Sequence, residues 1–356
     1  MRKNYNDERA DSMVKRNTTL KDIALSCGVS IKTASRAING EAGVSKATME
    51  RVRVIAKELG YVPNIIAKQL ASKRSNVLVM IYCYVDGSWI NDVQRGAIET
   101  AISHGYELIM RPAHNPHDID ADKILRLYDQ GSVDGVLVTS PFSSAAIVDV
   151  LYEAGVPCVQ LSPKRDDFRY PAVFSNTGHG ACQLVEYLIS LGHRDIGFIK
   201  GVSGESGAED RYLGYCRAME NNGLAINKDW VMQGDYTFRS GLVSGRTLLK
   251  RKPRPTAIFA SNDEMASGVL SAAHQLGLEV PEEISVAGAD DVKMASQLWP
   301  PLTTVRQPSA EMASLAVEML IYSLENPLEK KQEARELPAE LILRESTVCP
   351  KFSQSS

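Results

Sequence analysis

Two short helices joined by a glycine, close to the start of the chain, constrain its fold more than any other feature. Residues 19–27 read T-L-K-D-I-A-L-S-C, and within them Thr19 and Asp22 have the spacing of a helix-capping box. Gly28 can adopt the left-handed conformation that ends a helix, and Ser30 can cap the next one. This order of helix, glycine-containing turn and helix predicts a helix-turn-helix, whose second helix lies in the major groove of DNA.

The second helix, residues 30–39, has one apolar and one polar face. Ala34, Ala37 and Ile38 follow helical spacing and should pack inward. Alone, such a helix is typical of any protein surface, but the helix and turn before it favour DNA. Its outward hydroxyls, Lys, Arg and Asn are groups that bind phosphates and base edges. We expect DNA contacts from Thr19, Leu20, Ser30, Ile31, Lys32, Thr33, Ser35, Arg36 and Asn39.

A third helix is predicted from Ser45, as its N-cap, to Leu59, with Gly60 closing it. Its apolar side chains fall on one face and can cover the first two helices. These side chains are Met49, Val52, Ile55, Ala56 and Leu59.

Charge is distributed unevenly along the chain. Of 40 basic and 43 acidic residues, the first 75 positions hold 15 basic and 7 acidic, a net charge of +8. The remaining positions hold 25 basic and 36 acidic residues, a net charge of −11. This asymmetry indicates a phosphate-binding head and a body that DNA repels.

The head and the segment after it resemble one family of regulators. The stretch T-L-K-D-I-A-L-S-C-G-V-S-I-K-T-A-S-R-A-I-N-G, then V-S, then G-Y-V-P-N-I-I-A-K-Q-L-A, is similar to the DNA-binding head and hinge of the LacI (lactose repressor) family. The resemblance covers nearly the whole chain, except roughly the first seventeen residues and the last few. It implies that Ile31, Lys32 and Arg36 read bases.

The resemblance also implies a hinge helix that folds on DNA. A helix of about eight residues is too short to be stable alone in water. In the family the hinge pairs across a two-fold axis in the minor groove, where the residue matching Leu70 wedges between base pairs. Asn64 and Ala67 would contact DNA beside it. The alternative is a plain interdomain linker. The apolar residues that stand among Lys and Arg in this segment argue against it.

After residue 76, apolar runs alternate with helical stretches, which predicts parallel sheets with helices on both faces. The runs are V-L-V-M-I-Y, Y-E-L-I-M, G-V-L-V-T, P-C-V-Q-L, A-V-F-S, I-G-F-I, A-I-F-A and I-S-V-A-G. There are enough for two sheets, with a boundary expected near Tyr236. The fold class is therefore an α-helical helix-turn-helix head plus hinge helix, followed by an α/β body with two lobes like those of periplasmic binding proteins.

The expected domains follow from these patterns. They are a flexible N-terminal arm (1–17), the helix-turn-helix domain (18–62), the hinge helix and linker (63–75), the two-lobed effector-binding and dimerisation domain (76–349) and a tail (350–356). The tail has no heptad repeat, which favours a dimer over a tethered tetramer.

The resemblance places a small-molecule effector between the lobes, at the carboxyl ends of the strands. It assigns Arg211, expected in the first lobe, and Asn262 and Asp290, expected in the second, to gripping the ligand; Asp263 is expected to cap a helix. Aromatic side chains would stack on the ligand. The full expected set is Tyr84, Trp89, Thr139, Arg211, Tyr236, Asn262, Asp290 and Trp299.

These groups favour a sugar, with a nucleobase or another small metabolite as the alternative. The chain departs from the family pattern at Asn176-Thr177, at 288–291 and at 161–165. The identity of its effector therefore cannot be inferred from that of its relatives. Whether it releases DNA or recruits it stays open.

Other classes of protein fit less well. A solute-binding protein would carry a signal peptide, and the N-terminus lacks an apolar core. An enzyme is not expected, because G-V-S-G-E-S-G at 201–207 is not a dinucleotide fingerprint. The six scattered cysteines and the absence of a long apolar run favour a cytoplasmic protein without metal, cofactor or membrane span. We therefore expect a homodimeric transcriptional repressor.

Overall fold

The computed structural model describes residues 18–61, 74–83, 89–113, 119–139, 146–164, 169–328 and 333–350. Contacts divide the chain into two compact units, 1–73 and 74–356. The predictions for the N-terminal arm, for Asn64, Ala67 and Leu70 of the hinge, for Tyr84 and for nearly all of the tail lie outside the described residues.

Three helices form the described part of the first unit: α1 (Leu20–Cys27), α2 (Ile31–Asn39) and α3 (Lys46–Glu58). The predicted capping box is confirmed, because Asp22 Oδ2 accepts from Thr19 N at 2.8 Å and Thr19 Oγ1 accepts from Asp22 N at 3.4 Å. The predicted helix end at Gly28, which has φ 63°, is also confirmed.

The caps of the next two helices follow the same rule. Ser30 Oγ accepts from Thr33 N at 3.0 Å, and Ser45 Oγ accepts from Thr48 N at 3.2 Å. Each cap therefore satisfies a backbone donor of the first turn that would otherwise lack a partner.

A small apolar core holds the three helices together. Its buried members are Ile23, Ala24, Cys27, Ala34, Ala37 and Val52. Met49, Ile55 and Ala56 pack against it as predicted, whereas Leu59 is exposed. The reason is that α3 ends at Glu58, so Leu59 caps the helix and does not continue its apolar face.

The second unit contains two six-stranded sheets. The strands are β1 (Val77–Cys83), β2 (Glu107–Ala113), β3 (Gly135–Thr139), β4 (Cys158–Leu161), β5 (Ala172–Ser175), β6 (Ile196–Lys200), β7 (Val231–Gln233), β8 (Ala257–Ala260), β9 (Ser285–Asp290), β10 (Thr303–Arg306), β11 (Ala334–Leu337) and β12 (Glu340–Ile342). Sheet A has the order β11-β5-β4-β3-β1-β2, and sheet B the order β12-β10-β9-β8-β6-β7. Pairing is parallel except between β10 and β12.

Helices cover both faces of each sheet, as the alternation predicted. They are α4 (Trp89–Ser103), α5 (Ala121–Asp129), α6 (Ala146–Glu153), α7 (Thr177–Ser190), α8 (Ser206–Asn221), α9 (Phe238–Leu249), α10 (Asp263–Gln275) and α11 (Ser309–Glu325). Cores with α4 and α11, and with α5 and α6, lie on the two faces of sheet A. Cores with α7 and α8, and with α9 and α10, lie on the two faces of sheet B. We call each sheet with its helices lobe A or lobe B.

The chain crosses between the lobes three times, at 175–177, 306–309 and 337–340. The boundary expected near Tyr236 is therefore wrong, because the first crossing comes well before it and α7, β6, α8 and β7 all belong to lobe B. The strand–helix alternation is the same in both lobes, so it does not indicate which sheet a strand joins.

All eight predicted apolar runs form strands, while β7, β10, β11 and β12 were not predicted. These four are three or four residues long, and β10, β11 and β12 carry charged residues among their apolar ones. Within the described residues, no helix is both long enough and apolar enough to span a membrane.

Candidate functional site

The outward face of α2 is the first candidate site. Ile31 is 51% exposed, and Lys32 is also exposed. Thr33 and Ser35 are partly buried, and the Ser30 and Thr33 hydroxyls lie 2.8 Å apart. The helix thus presents one apolar and several polar side chains that can contact base edges and phosphates.

Glu41, which follows α2, contacts two of the predicted DNA-binding residues. Its carboxylate lies 3.8 Å from Arg36 Nε and accepts from Asn39 Nδ2 at 3.2 Å. Both partners of the Arg36–Glu41 pair are about half exposed, so solvent screens the pair and a phosphate can displace it.

The two predicted DNA contacts on the first helix differ in their surroundings. Thr19 is exposed and tied into the capping box, whereas Leu20 is partly buried against the apolar core. Leu20 therefore stabilises the three-helix unit as well as bordering its surface.

Arg211 on α8 is the centre of the second candidate site. Only 4% of it is exposed, and its guanidinium donates from Nε to Thr177 Oγ1 at 2.9 Å, from Nη1 to the Ser261 carbonyl, and from Nη2 to Asp290 Oδ1 at 2.6 Å. Burial acts to lower the pKa of Arg211, but the Asp290 carboxylate raises it above its usual value.

Arg211 was expected in the lobe opposite Asn262 and Asp290, and this expectation is wrong. α8 follows β6 of sheet B, and both Asn262 and Asp290 also follow or end strands of sheet B. These three residues therefore form one side of a site at the carboxyl ends of β6, β8 and β9.

Asp290 is held by a residue from the second crossing. Gln307 donates from Nε2 to Asp290 Oδ1 at 2.7 Å, and its backbone N lies 3.4 Å from the Asp290 carbonyl. Burial raises the pKa of Asp290, and the bonds from Arg211 and Gln307 oppose that rise. Asp290 also has φ 106°, a conformation that non-glycine residues rarely adopt, so its direction is set by these contacts.

Tyr236 and Asn262 form a second set of hydrogen bonds close to Arg211, whose pKa the neighbouring Glu205 carboxylate also raises. We call the two sets together, with Arg211, Asp290 and Gln307, the Arg211 cluster. Tyr236 Oη donates to Glu205 Oε2 at 2.7 Å, and Asn262 Nδ2 donates to the Tyr236 carbonyl at 2.9 Å. A Cβ at Gly201 would lie 2.2 Å from the Tyr236 ring, so only glycine leaves room for the ring there. Burial and the Glu205 carboxylate raise the pKa of Tyr236, which therefore remains a donor.

Asn262, and not Asp263, caps the helix that follows β8. Asn262 Oδ1 accepts from Met265 N at 2.9 Å, whereas Asp263 is buried and accepts from Thr304 Oγ1 at 2.5 Å and Val292 N at 2.9 Å. The prediction for Asp263 is wrong because the helix begins one residue earlier than expected. A Cβ at Gly288 would lie 2.4 Å from Asp263 Oδ1, which explains the glycine in G-A-D-D.

Three buried polar atoms at the carboxyl ends of strands have no hydrogen-bond partner in the described part of the chain. They are Trp89 Nε1 in the first residue of the helix that follows β1, Ser175 Oγ at the end of β5, and Ser261 Oγ after β8. A fourth, Arg251 Nε, lies beyond α9, away from these strand ends. Buried donors without a partner are rare in folded proteins and indicate a missing partner.

The other predicted residues differ in their positions. Thr139 is fully buried at the carboxyl end of β3, where the site is expected. Trp299 is 87% exposed in the loop before β10 and has no described contact with the Arg211 cluster. Since β10 begins beside Ala287, this loop leads into the amino end of the strand, while Asp290 lies at the carboxyl end of β9.

The site residues that were not predicted include Glu205 and Gln307, besides the Arg211 acceptors Thr177 and Ser261. Glu205 could have been found from the sequence as a helix N-cap, because its carboxylate accepts from Ala208 N at 2.7 Å at the start of α8. Gln307 has no such signal, because it lies between β10 and α11 and meets Asp290 only through the fold. Among the described residues, no group of three or more His, Cys, Asp or Glu side chains is arranged to hold a metal ion.

Family models match a part of each of the two units. Residues 19–64 match the bacterial regulatory proteins of the lacI family, and residues 185–347 match a periplasmic binding protein-like domain. The chain is 31% identical to the HTH-type transcriptional repressor PurR of Vibrio campbellii over 329 residues, which cover 92% of this chain and 97% of that protein.

Solved structures give the same result. The Lac repressor dimer bound to operator and the anti-inducer ONPF has a TM-score of 0.81 at 26% identity, covering 94% of this chain and 100% of that one. The transcriptional regulator CelR in complex with cellobiose has a TM-score of 0.71 at 29% identity, covering 93% and 100%. The relatives named here are transcriptional regulators and not enzymes. The chain belongs to the LacI family of DNA-binding transcriptional repressors.

Proposed function

We propose that this chain is a homodimeric repressor that binds a pseudo-palindromic operator and responds to a sugar held between its two lobes. Two helix-turn-helix units would place their α2 helices in successive major grooves, so the two-fold symmetry of the dimer would match that of the operator. The Lac repressor dimer on its operator supports this arrangement. Such a repressor acts in the cytoplasm, where the operator is.

The observation that carries the effector proposal is the Arg211 cluster together with the buried Ser261 hydroxyl, which has no partner among the described residues and belongs to a residue that Arg211 contacts. A guanidinium, a carboxylate and an amide converge at the carboxyl ends of sheet B, which is where ligands bind in open parallel sheets. Trp89 Nε1 and Ser175 Oγ, at the same end of sheet A, are buried and have no partner among the residues that the structure describes. A ligand that supplies oxygen atoms to these groups would recover about 1–3 kcal/mol for each donor now left unpaired.

A polyhydroxylated ligand suits this set of groups. Asp290, Glu205 and the Asn262 amide can accept from or donate to hydroxyls, and Trp89 offers an aromatic face. The CelR–cellobiose complex supports a sugar. A nucleobase is the second candidate, since the PurR relative favours it.

Arg211 donates to three protein acceptors. An effector would therefore have to replace one of these bonds or add to the remaining guanidinium N–H groups, of which arginine has five. An effector that replaces one of these bonds would rearrange the cluster as it binds, which is the coupling that a switch requires.

The hinge and domain assignments remain part of this proposal. Residues 63–75 would be the hinge helix and linker, and the helix would form only on DNA, with Asn64 and Ala67 at the minor groove and Leu70 as the wedge. The effector and dimerisation domain would extend from 76 to 349, with Tyr84, Trp89 and Thr139 bordering the cleft from lobe A. Trp299, in the exposed loop at the amino end of β10, lies away from the strand ends that form this cleft.

Two experiments test the proposal. The full chain is used to enrich duplexes from a random library, and we expect an inverted repeat bound with two protomers per duplex in analytical ultracentrifugation. A thermal-shift panel then compares neutral mono- and disaccharides with purine and pyrimidine bases, and each hit is added to the operator complex.

A sugar that raises the melting temperature and changes operator affinity would support the effector assignment. A base that does so in place of every sugar would show that the second candidate is correct. Enrichment of no duplex, or binding of one protomer to an asymmetric site, would contradict the repressor proposal.

A further inference from the structure

α11 extends between two places that matter for regulation. Its first residue, Ser309, comes two positions after Gln307, which binds the cleft carboxylate Asp290. Its last turn lies beside Arg74, the first residue of the second unit. Since the helix has 17 residues, it spans about 25 Å.

The amino-terminal end of α11 is attached to lobe B. Gln307 holds Asp290 through its side chain at 2.7 Å and contacts the Asp290 carbonyl through its backbone N at 3.4 Å. The Gln307 carbonyl accepts from Ser309 N at 2.8 Å, in the first turn of the helix. A movement of Asp290 therefore acts directly on the start of α11.

The middle of α11 is packed into lobe A. Its buried side chains are Met312, Ala313, Ala316, Val317, Leu320 and Ile321. A Cβ at Gly96 of α4 would lie 2.1 Å from the Ala310 carbonyl oxygen, so the two helices are in direct backbone contact. Thr100 and Ser314 hydroxyls join them at 2.6 Å. Such dense packing makes the helix move as a stiff element.

The carboxyl-terminal end of α11 is capped by Arg74. The last carbonyls of a helix lack partners within it and carry the negative end of its dipole. The Arg74 guanidinium donates to one of them, the Leu324 carbonyl, and to Tyr106 Oη at 3.3 Å. The next two residues are fixed by Asp134, which accepts from Ser75 N and from Asn76 N at 2.8 Å each.

We propose that Gln307 and Arg74 are positioning residues at the two ends of α11, through which a rearrangement of Asp290 changes the direction in which the chain leaves the body towards the DNA-binding unit. The proposal rests on the proposed operator binding. It adds a physical connection between the cleft and the point where the chain leaves lobe A.

A double-mutant cycle tests the connection, because intermediate position alone does not show coupling. Operator affinity is measured by fluorescence anisotropy for the parent, Gln307→Met, Arg74→Met and the double variant, with a duplex that the parent enriches from a random library. Methionine keeps much of each side chain's length and removes its donors. Substitutions at independent sites this far apart have additive effects on affinity, to within about twofold. For Gln307→Met and Arg74→Met we expect the operator affinity of the double variant to depart from additivity by about fivefold or more.

Glu340→Gln, combined with Arg74→Met, is the matched control cycle. Glu340 lies at the third crossing, where it pairs with Arg306 at 3.2 Å, but it has no described contact with α11. We expect additivity within about twofold for this cycle. Urea unfolding checks that every variant is folded, and Arg74→Lys replaces Arg74→Met if the latter is not.

Additive effects of Gln307→Met and Arg74→Met would overturn the proposal. An equal departure from additivity in the control cycle would also overturn it. The effect on operator affinity would then pass through the crossings between the lobes and would not depend on α11. Failure of the parent to enrich any duplex would instead refute operator binding, and this inference with it.

Discussion

The outward face of α2 and the cluster around Arg211 use similar side chains in opposite ways. On α2, Ile31 is half exposed, and Arg36 is paired only loosely with Glu41. In the cluster, Arg211 is almost fully buried and bonded to three protein acceptors. One surface is ready to meet a partner without rearrangement, while the other already holds its polar groups in bonds within the protein.

The difference has a consequence for mutations. A change on α2 should alter recognition and leave the fold intact, because few contacts within the protein are lost. A change in the Arg211 cluster should affect stability and ligand response together, because the same bonds serve both.

The largest expected effect is the loss of stability in Arg211→Met. It leaves Asp290 buried without its cationic partner, which costs about 3–5 kcal/mol in comparable buried pairs. Arg36→Met is the matched control on α2 and should cost less than about 0.5 kcal/mol. Urea unfolding of both variants measures the two values. Equal losses would show that the contrast between the two surfaces is wrong.

The next effect concerns specificity. Arg36→Ala should weaken discrimination at one base pair of each half-site by about 1–3 kcal/mol, the contribution of a good bidentate contact. Anisotropy titrations on operators with single-base changes measure this. The same loss on every sequence would mean that Arg36 contacts only phosphate.

A pH-dependent effect should be confined to the second unit. His193 is buried, with Nδ1 2.9 Å from Thr256 Oγ1 and Nε2 2.9 Å from the Val348 carbonyl. Burial lowers the pKa of His193 from 6.5, helped by Arg194 and opposed by the bond to Val348. The folded state thus favours the neutral ring, so this stability is present above about pH 6.5 and is lost as the pH falls below it.

The midpoints of urea unfolding, measured between pH 7.5 and 5, report this loss of stability in the parent and in His193→Gln. In His193→Gln the contribution of His193 to the slope of stability against pH should vanish. His274→Gln, at an exposed position, is the matched control and should keep that part. Residues 18–61 contain no histidine, so the isolated α2 surface offers no such dependence. An unchanged slope in His193→Gln would assign the acid sensitivity to other groups.

The smallest expected effect comes from Glu41→Gln. Removing an exposed carboxylate beside Arg36 should strengthen operator binding by at most about 1 kcal/mol, since exposed pairs contribute little. The gain should shrink as salt is raised, because screening already weakens the repulsion between Glu41 and phosphates. Weaker binding in this variant would mean that Glu41 orients Arg36 for DNA.

The sequence by itself determined the local features of this protein. The capping box at Thr19, the cap at Ser30, the polar face of α2 and the eight apolar runs each depend on residues within a few positions of one another. Helical and strand periodicity is a local property, so it can be read from the chain directly. The positions of Arg211, Tyr236, Asn262 and Asp290 came from the resemblance to the family's motifs, and all four belong to the Arg211 cluster.

Only the tertiary structure decided how these parts are combined. It placed Arg211 in the same lobe as Asp290, brought Gln307 to that carboxylate and paired Tyr236 with Glu205. It also left Trp299 in an exposed loop. The physical reason is that sheet membership depends on strand pairing between distant segments, and both lobes have the same strand–helix alternation. Contacts between residues 79 positions apart, such as Arg211 and Asp290, form only when that pairing is complete.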